Sequence, residues 1–196
     1  TKDTNERLKL INILSHDVQR IERLITDYSQ ILKDEVALSN EKFKKINLIP
    51  IIQSVVDDYN NLYQTKKGIN ISFNNDGNKS YQINGIENRI EQIIANLLDN
   101  AISFSENNKN IEVKISKNSN KQIVVNIIDE GPGFKEKDTT KIFKRFYSNR
   151  PDKFGQHSGL GLNIVKNLTD LHNASISAIN RRDRRGANLQ IIFPKI

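Results

Sequence analysis

QIIANLLDNAISF, residues 92–104, is the stretch on which the fold turns. Its apolar residues Ile93, Ile94, Leu97, Leu98, Ala101 and Ile102 recur at helical spacing, so one face of a helix packs inward. Asn96 and Asn100 stand four apart, one turn above the other on a common stripe. Asparagine is a poor helix-interior residue, because its amide competes for backbone partners. Two of them stacked among core residues suit a polar task such as holding a hydrated cation. For an isolated N-x-x-x-N, two merely solvated amides are the commoner alternative.

On the N-terminal side, this helix spans about 87–104 and follows a short strand at 81–84. A turn-rich loop at 74–80 reads as the tip of a hairpin joining that strand to one at 69–73. Before it, Pro50 suits the first turn of a helix running to about residue 66, with Ile51, Ile52, Val55, Val56, Tyr59, Leu62 and Tyr63 inward. Residues 39–50 read as a polar connection. Residues 3–38 read as one long helix. Ile11, Leu14, Val18, Ile21, Ile25, Tyr28 and Leu32 form its heptad seam, spaced alternately three and four apart. A helix with such a stripe is not stable alone and calls for a partner helix.

On the C-terminal side, 111–116 and 122–129 alternate as two strands around the turn 117–121. Asp129-Glu130-Gly131-Pro132-Gly133 closes the second strand, and an irregular segment with Ile142, Phe143 and Phe146 follows. Gly159-Leu160-Gly161 then opens a helix to about residue 172, and strands at 174–180 and 189–193 flank the basic turn RRDRR, 181–185. From residue 48 on, the expected class is α+β: a two-layer α/β sandwich whose mixed, mainly antiparallel sheet carries three helices on one face.

A chain of 196 residues is long enough for one well-buried core with a helical appendage. It contains no Cys, which excludes disulfides and thiolate metal sites, and no Met. The missing initiator leads us to expect that Thr1 is the cut end of a longer polypeptide. No apolar run approaches the length of a membrane span. The net charge of +7 invites a nucleic-acid partner, but the lysines are spread along the chain. The densest basic runs are 135–150, between two glycine motifs where a small anion is the simpler partner, and RRDRR, a solvated turn or a patch for an acidic protein. No nucleic acid is expected.

Three further motifs carry chemistry. A carboxylate at a strand end, as at Asp129, accepts a hydrogen bond from an exocyclic amine, and Gly131 and Gly133 let a planar ligand approach the backbone. Ser158-Gly159-Leu160-Gly161 opens a helix whose backbone N–H groups form an anion site. Between them Lys141, Lys144, Arg145, Arg150, Lys153 and His157 suit a lid over phosphates. Each motif alone is weak, since D-x-G-x-G is a common turn and G-x-G a common helix start.

Taken in order, N-x-x-x-N-A, D-x-G-x-G, F-x-x-F and G-x-G-L resemble the N, G1, F and G2 boxes of the GHKL (Bergerat) ATPases, over residues 46–196. Within that group the pattern is similar to the catalytic domain of sensor histidine kinases, and the stretch 142–162 to the ChvG-type envelope-stress kinases of alphaproteobacteria. The resemblance implies ATP with Mg²⁺. Asn100 would be the metal ligand, with Asn96, Ser103 and Phe104 beside it. Asp129 would bind the adenine amine, and Gly131 and Gly133 would line the base pocket. Phe143, Arg145 and Phe146 would belong to the lid, and Ser158, Gly159, Leu160 and Gly161 would meet the phosphates. Hydrolysing members of the group carry a Glu at the place of Asn96. An amide is no general base, so phosphoryl transfer to a side chain is the expected reaction.

Two positions depart from the kinase pattern. Ser103 and Phe104 stand where a Lys or Arg and a Tyr are usual, so one phosphate-facing cation is missing. Ala187 stands where the terminal G-T-x-F has its threonine. Ser15-His16-Asp17 resembles the start of a phosphoacceptor motif, but DVQRIERL follows without a proline. Only 34 positions separate His16 from Pro50, too few to finish the helix and hold a second long one. Residues 1–38 instead resemble the second helix of a dimerisation hairpin, with 39–47 as linker and 48–196 as the ATP-binding domain. His16 is therefore expected to be a surface histidine and the acceptor to lie upstream. A response regulator receiver domain is the implied partner. The implied parent is a homodimer whose cytoplasmic portion this is, anchored to the inner membrane through segments outside the chain. A regulatory module of the same fold, inactive or an anti-sigma-like serine kinase, remains the alternative. Acid-stable phosphate would distinguish the serine kinase.

Overall fold

The computed structural model describes residues 41–77, 80–135, 138–147 and 159–195, together with nine positions between 7 and 25. Those nine are Arg7, Leu10, Ile11, Leu14, Ser15, Val18, Ile21, Glu22 and Ile25, and all nine are helical and exposed. The seam positions Tyr28 and Leu32, like His16, lie outside the described residues.

Strand β1 (Lys44–Asn47) leads directly into helix α1 (Leu48–Lys67). Asn47 caps that helix, its side-chain oxygen accepting from the Ile49 and Tyr81 N–H groups, a cap worth about 1 kcal/mol. Gly68 ends the helix in the left-handed conformation. Then come β2 (Asn70–Asn75), β3 (Gln82–Gly85), α2 (Glu87–Phe104), β4 (Asn110–Lys117) and β5 (Ile123–Ile128). A 3₁₀ turn (Thr139–Phe143), α3 (Gly161–Leu171), β6 (Ser175–Asn180) and β7 (Ala187–Phe193) complete the described chain.

Five strands form one sheet in the order β2-β4-β5-β7-β6, antiparallel throughout except for the parallel pair β2–β4. Alternate residues of β4 and β7 are buried, as in a sheet with one covered face. The cover is made by α1, α2 and α3, and Ile93, Ile94, Leu97 and Leu98 of α2 reach the bottom of the core at 0–1 % exposure. This is the expected two-layer α+β sandwich.

Three local expectations fail. Leu62, expected inward on α1, is exposed at 45 %. The loop 74–80 does not close a hairpin: β2 runs parallel to β4, and β3 pairs antiparallel with β1 in a separate two-stranded sheet. Turn-forming residues bend the chain without choosing a strand's partner. The polar connection likewise contains β1, whose Ile46 faces Ile83 across that small sheet. A four-residue strand with one apolar anchor carries too little alternation to stand out in the sequence.

Candidate nucleotide site

Asp129 follows the central strand β5 and is 3 % exposed. Its N–H donates to the Ala187 carbonyl at 3.0 Å, prolonging the β5–β7 ladder by one rung. Its Oδ1 accepts two backbone donors, Gly131 N–H at 2.8 Å and Ala187 N–H at 3.1 Å. That fixes the carboxyl rotamer and leaves Oδ2 without a hydrogen bond among the described residues. Burial pushes the Asp129 carboxyl above the usual carboxylate range, against the opposing pull of those two N–H groups and of Arg181.

The glycines around it have steric reasons to be glycine. A Cβ on Gly131 would stand 2.8 Å from the Phe104 carbonyl, so the end of α2 packs directly on this turn. Gly133 has φ +73° and faces Asn180, whose amide donates to the Phe134 carbonyl and whose oxygen accepts the Phe134 N–H. Asn180 escaped sequence reasoning, because an Asn at a strand end before a basic turn looks like one more solvated residue. RRDRR is likewise not simply a solvated turn. Arg181 reaches the Asp129 carbonyl at 3.4 Å and Arg184 pairs with Glu130 at 3.1 Å, so the turn clasps the back of the D-E-G-P-G segment.

The second half of the site is built where α2 meets the start of α3. Asn96 and Asn100 are both half-buried on α2. Asn96 Nδ2 donates to the Gln92 carbonyl at 2.8 Å, and its Oδ1 lies 3.2 Å from where a Cβ would stand on Gly161. The Asn100 side chain makes no hydrogen bond among the described residues, while its main-chain carbonyl accepts the Ser103 hydroxyl at 2.7 Å. Helix α3 begins after Leu160 with no side-chain cap among the described residues, and a helix start of this kind is a candidate anion site. Gly159 has φ +72°, and a Cβ there would meet the Phe146 backbone at 2.9 Å. The segment after the 3₁₀ turn therefore packs against the glycine loop.

Of the expected lid residues, Phe143 is buried in that turn, Arg145 is exposed, and Phe146 is exposed at φ +60°. Asn163 holds this corner: its Nδ2 donates to the Phe143 carbonyl at 2.9 Å and its Oδ1 accepts from Arg145 Nε at 3.3 Å. Sequence reasoning missed Asn163, whose one signal is a polar residue in the first turn of an otherwise apolar helix face. Ser158, Arg150, Lys153 and His157 lie outside the described residues. Ala187, marked above as a departure, is the residue whose N–H clamps Asp129.

Residues 85–196 match the model of the histidine kinase-, DNA gyrase B-, and HSP90-like ATPases. The chain belongs to that family. The ChvG sensor protein of Rhizobium meliloti (strain 1021) is 33 % identical over 191 residues, which cover 94 % of this chain and 33 % of that protein. Among solved structures, the catalytic domain of histidine kinase ThkA superposes with a TM-score of 0.67 at 27 % identity, over 79 % of this chain and 96 % of that one. ThkA solved in complex with the response regulator protein TrrA gives a TM-score of 0.69 at 25 % identity, over 96 % of this chain and 51 % of that one. The chain spans about a third of the length of its ChvG relatives. The family is one of ATPases, which supports ATP as the substrate.

Proposed function

We propose that the chain is the ATP-binding catalytic portion of a two-component sensor histidine kinase. It would place Mg·ATP so that the γ-phosphoryl passes to a histidine nitrogen, for relay to an aspartate of a response regulator receiver domain. The observation that carries this is the contact of Asn96 with Gly161. It joins the N-x-x-x-N stripe of α2 to an uncapped helix start, so that a cation ligand and an anion site share one cleft.

Asp129 would take the adenine amine on its open oxygen, with the base lying against Gly131 and Gly133. The first turn of α3 would receive the phosphates. Asn100 would hold Mg²⁺, and the residues fit such an ion: a carboxamide oxygen is a hard donor, and the Asn100 amide has no competing partner among the described residues. No cluster of three His, Cys, Asp or Glu side chains is found among the described residues, so most of the ion's oxygens would come from phosphates and water. The ion supplies neutralisation of phosphate charge. Catalysis would otherwise consist of positioning. Asn96, an amide with its nitrogen tied back to the helix, is unable to take a proton from water. That favours transfer to a side chain over hydrolysis.

The exposed heptad seam of residues 7–25 supports a homodimer of the parent protein through that helix. No helix among the described residues is long and apolar enough to cross a membrane. We place the chain on the cytoplasmic side of an inner-membrane-anchored sensor, as its resemblance to sensor kinases implies.

A thermal-shift titration tests the nucleotide site. Mg·ADP at a hundred times its Kd should stabilise the chain by about 2.7 kcal/mol, a rise of about 5–10 °C at this size. Asn100→Ala should lose the magnesium-dependent part of the rise. No shift with Mg·ADP, together with DNA binding that weakens steeply with salt, would reject the proposal.

A further inference from the structure

Asn163 stands in the first turn of α3, and its carboxamide is used at both ends. Nδ2 donates to the Phe143 carbonyl at 2.9 Å, and Oδ1 accepts from Arg145 Nε at 3.3 Å. Both contacts are direct, from the side chain itself. They also fix which way the amide faces, because a carbonyl takes a hydrogen bond only from the NH₂ group and a guanidinium only donates. A carboxylate here would set an oxygen against the Phe143 carbonyl, and an aliphatic side chain would drop both bonds. Arg145 is exposed, and its Nη1 and Nη2 have no hydrogen-bond partner among the described residues. With Nε held by Asn163, the open edge of the guanidinium is the Nη1/Nη2 fork, a shape that matches two oxygens of one phosphate.

The place of this pairing gives it a use. The first turn of a helix is where an anion sits, and Asn163 brings a guanidinium beside that turn on α3. Residues 143–147 are seated there from a second side, since a Cβ on Gly159 would meet the Tyr147 carbonyl at 2.8 Å. Across the cleft, α2 carries Ser103 where a phosphate-facing Lys or Arg is usual, and the Ser103 hydroxyl donates to the Asn100 carbonyl at 2.7 Å. We propose that Asn163 is a positioning residue that aims Arg145 at the phosphates of the nucleotide, and that Arg145 supplies the cation absent from α2. This rests on the nucleotide reading given above and deepens it. The positive charge comes from the segment after the 3₁₀ turn, and the helix that receives the phosphates holds it in place.

The test compares Mg·ADP with adenosine, which has the base and no phosphate, as competitors of a fluorescent ADP analogue on the 196-residue chain. Arg145→Gln should weaken Mg·ADP about ten-fold, the loss of one charge-assisted hydrogen bond, and leave adenosine unchanged. Asn163→Ala should do the same. The double variant should bind Mg·ADP no worse than Arg145→Gln alone. Lys166→Ala, which removes a cation paired with Asp170 further along α3, is the control and should change neither affinity. If Asn163→Ala weakens Mg·ADP and adenosine equally, Asn163 only supports the fold. If the losses multiply in the double variant, Asn163 and Arg145 act apart. Either result overturns the inference while the nucleotide site stands. Should Asn163→Ala fail to fold, Arg145→Gln still decides, because its side chain is exposed, and an unchanged Mg·ADP affinity there also overturns the inference. A wild-type chain that does not bind Mg·ADP removes both.

Discussion

At the scale of single residues, Asp129 shows how backbone donors decide the chemistry of a side chain. Because Gly131 and Ala187 both donate to Oδ1, an amide at this position keeps its oxygen there and turns its NH₂ group outward. Asp129→Asn therefore confronts the adenine amine with a donor, and adenine-nucleotide affinity should fall about ten-fold or more, the loss of one charge-assisted hydrogen bond. The apo chain responds in the opposite sense. Burial raises the Asp129 pKa in the fold, so the native state holds a proton that the unfolded chain has already lost. The Asp129 contribution is then fully present below the ordinary carboxylate pKa and lost as pH rises through the folded value. Asp129→Asn should flatten that slope and leave apo stability at neutral pH equal or higher, as melting curves between pH 3 and 7 would show. A variant that loses both stability and nucleotide together would make Asp129 a folding residue only.

At the scale of elements, α2 and α3 pack on one another from Asn96–Gly161 to the opposite end of α3. There the buried His172 accepts the Ile86 N–H on Nε2 at 3.1 Å and faces the Leu168 carbonyl with Nδ1 at 2.7 Å. With Nδ1 donating, the ring is neutral, and Ile86 is the residue that starts α2. Burial lowers the His172 pKa, against the pull of the Leu168 carbonyl. A depressed pKa gives stability that is complete above the unfolded value near 6.5 and lost as pH falls through the folded one. The melting temperature should therefore drop as pH goes from 7 to 5, and His172→Gln should remove the part of that drop that His172 causes. Such pairings were out of reach of the sequence. Periodicity announced α2 and α3 nearly to the residue, because each is long and strongly amphipathic. It could not tell that β3 would pair with β1, or that His172 would cap a distant helix, since a single His or a four-residue strand has no repeat to read. The site divides the same way: Asp129, the glycines and the two asparagines were legible as spaced motifs. Asn163, Asn180 and Arg181, which hold those motifs in place, act singly across the fold.

At the scale of the whole molecule, the described part contains two kinds of apolar surface. One is closed inside the sandwich. The other is made by the seam residues Ile11, Leu14, Val18, Ile21 and Ile25, each helical and 53–62 % exposed. Residues spaced three and four apart on one face make a coiled-coil seam, and such a seam gains its stability from another helix. In a two-fold dimer every seam residue is used twice. Burying one Leu or Ile contributes about 2 kcal/mol, so one polar substitution per chain costs about 4 kcal/mol and weakens the dimer by a factor of about a thousand. Ile21→Asp should thus convert a concentration-dependent dimer to monomer in sedimentation equilibrium. The Mg·ADP thermal shift should survive, because no residue of the nucleotide site lies on that helix. The phosphoacceptor should behave as separately. Incubation with [γ-³²P]ATP should leave no acid-labile label on His16, whether the chain is dimeric or monomeric. Label that disappears in His16→Ala would place the acceptor on this helix and reverse the assignment of residues 1–38.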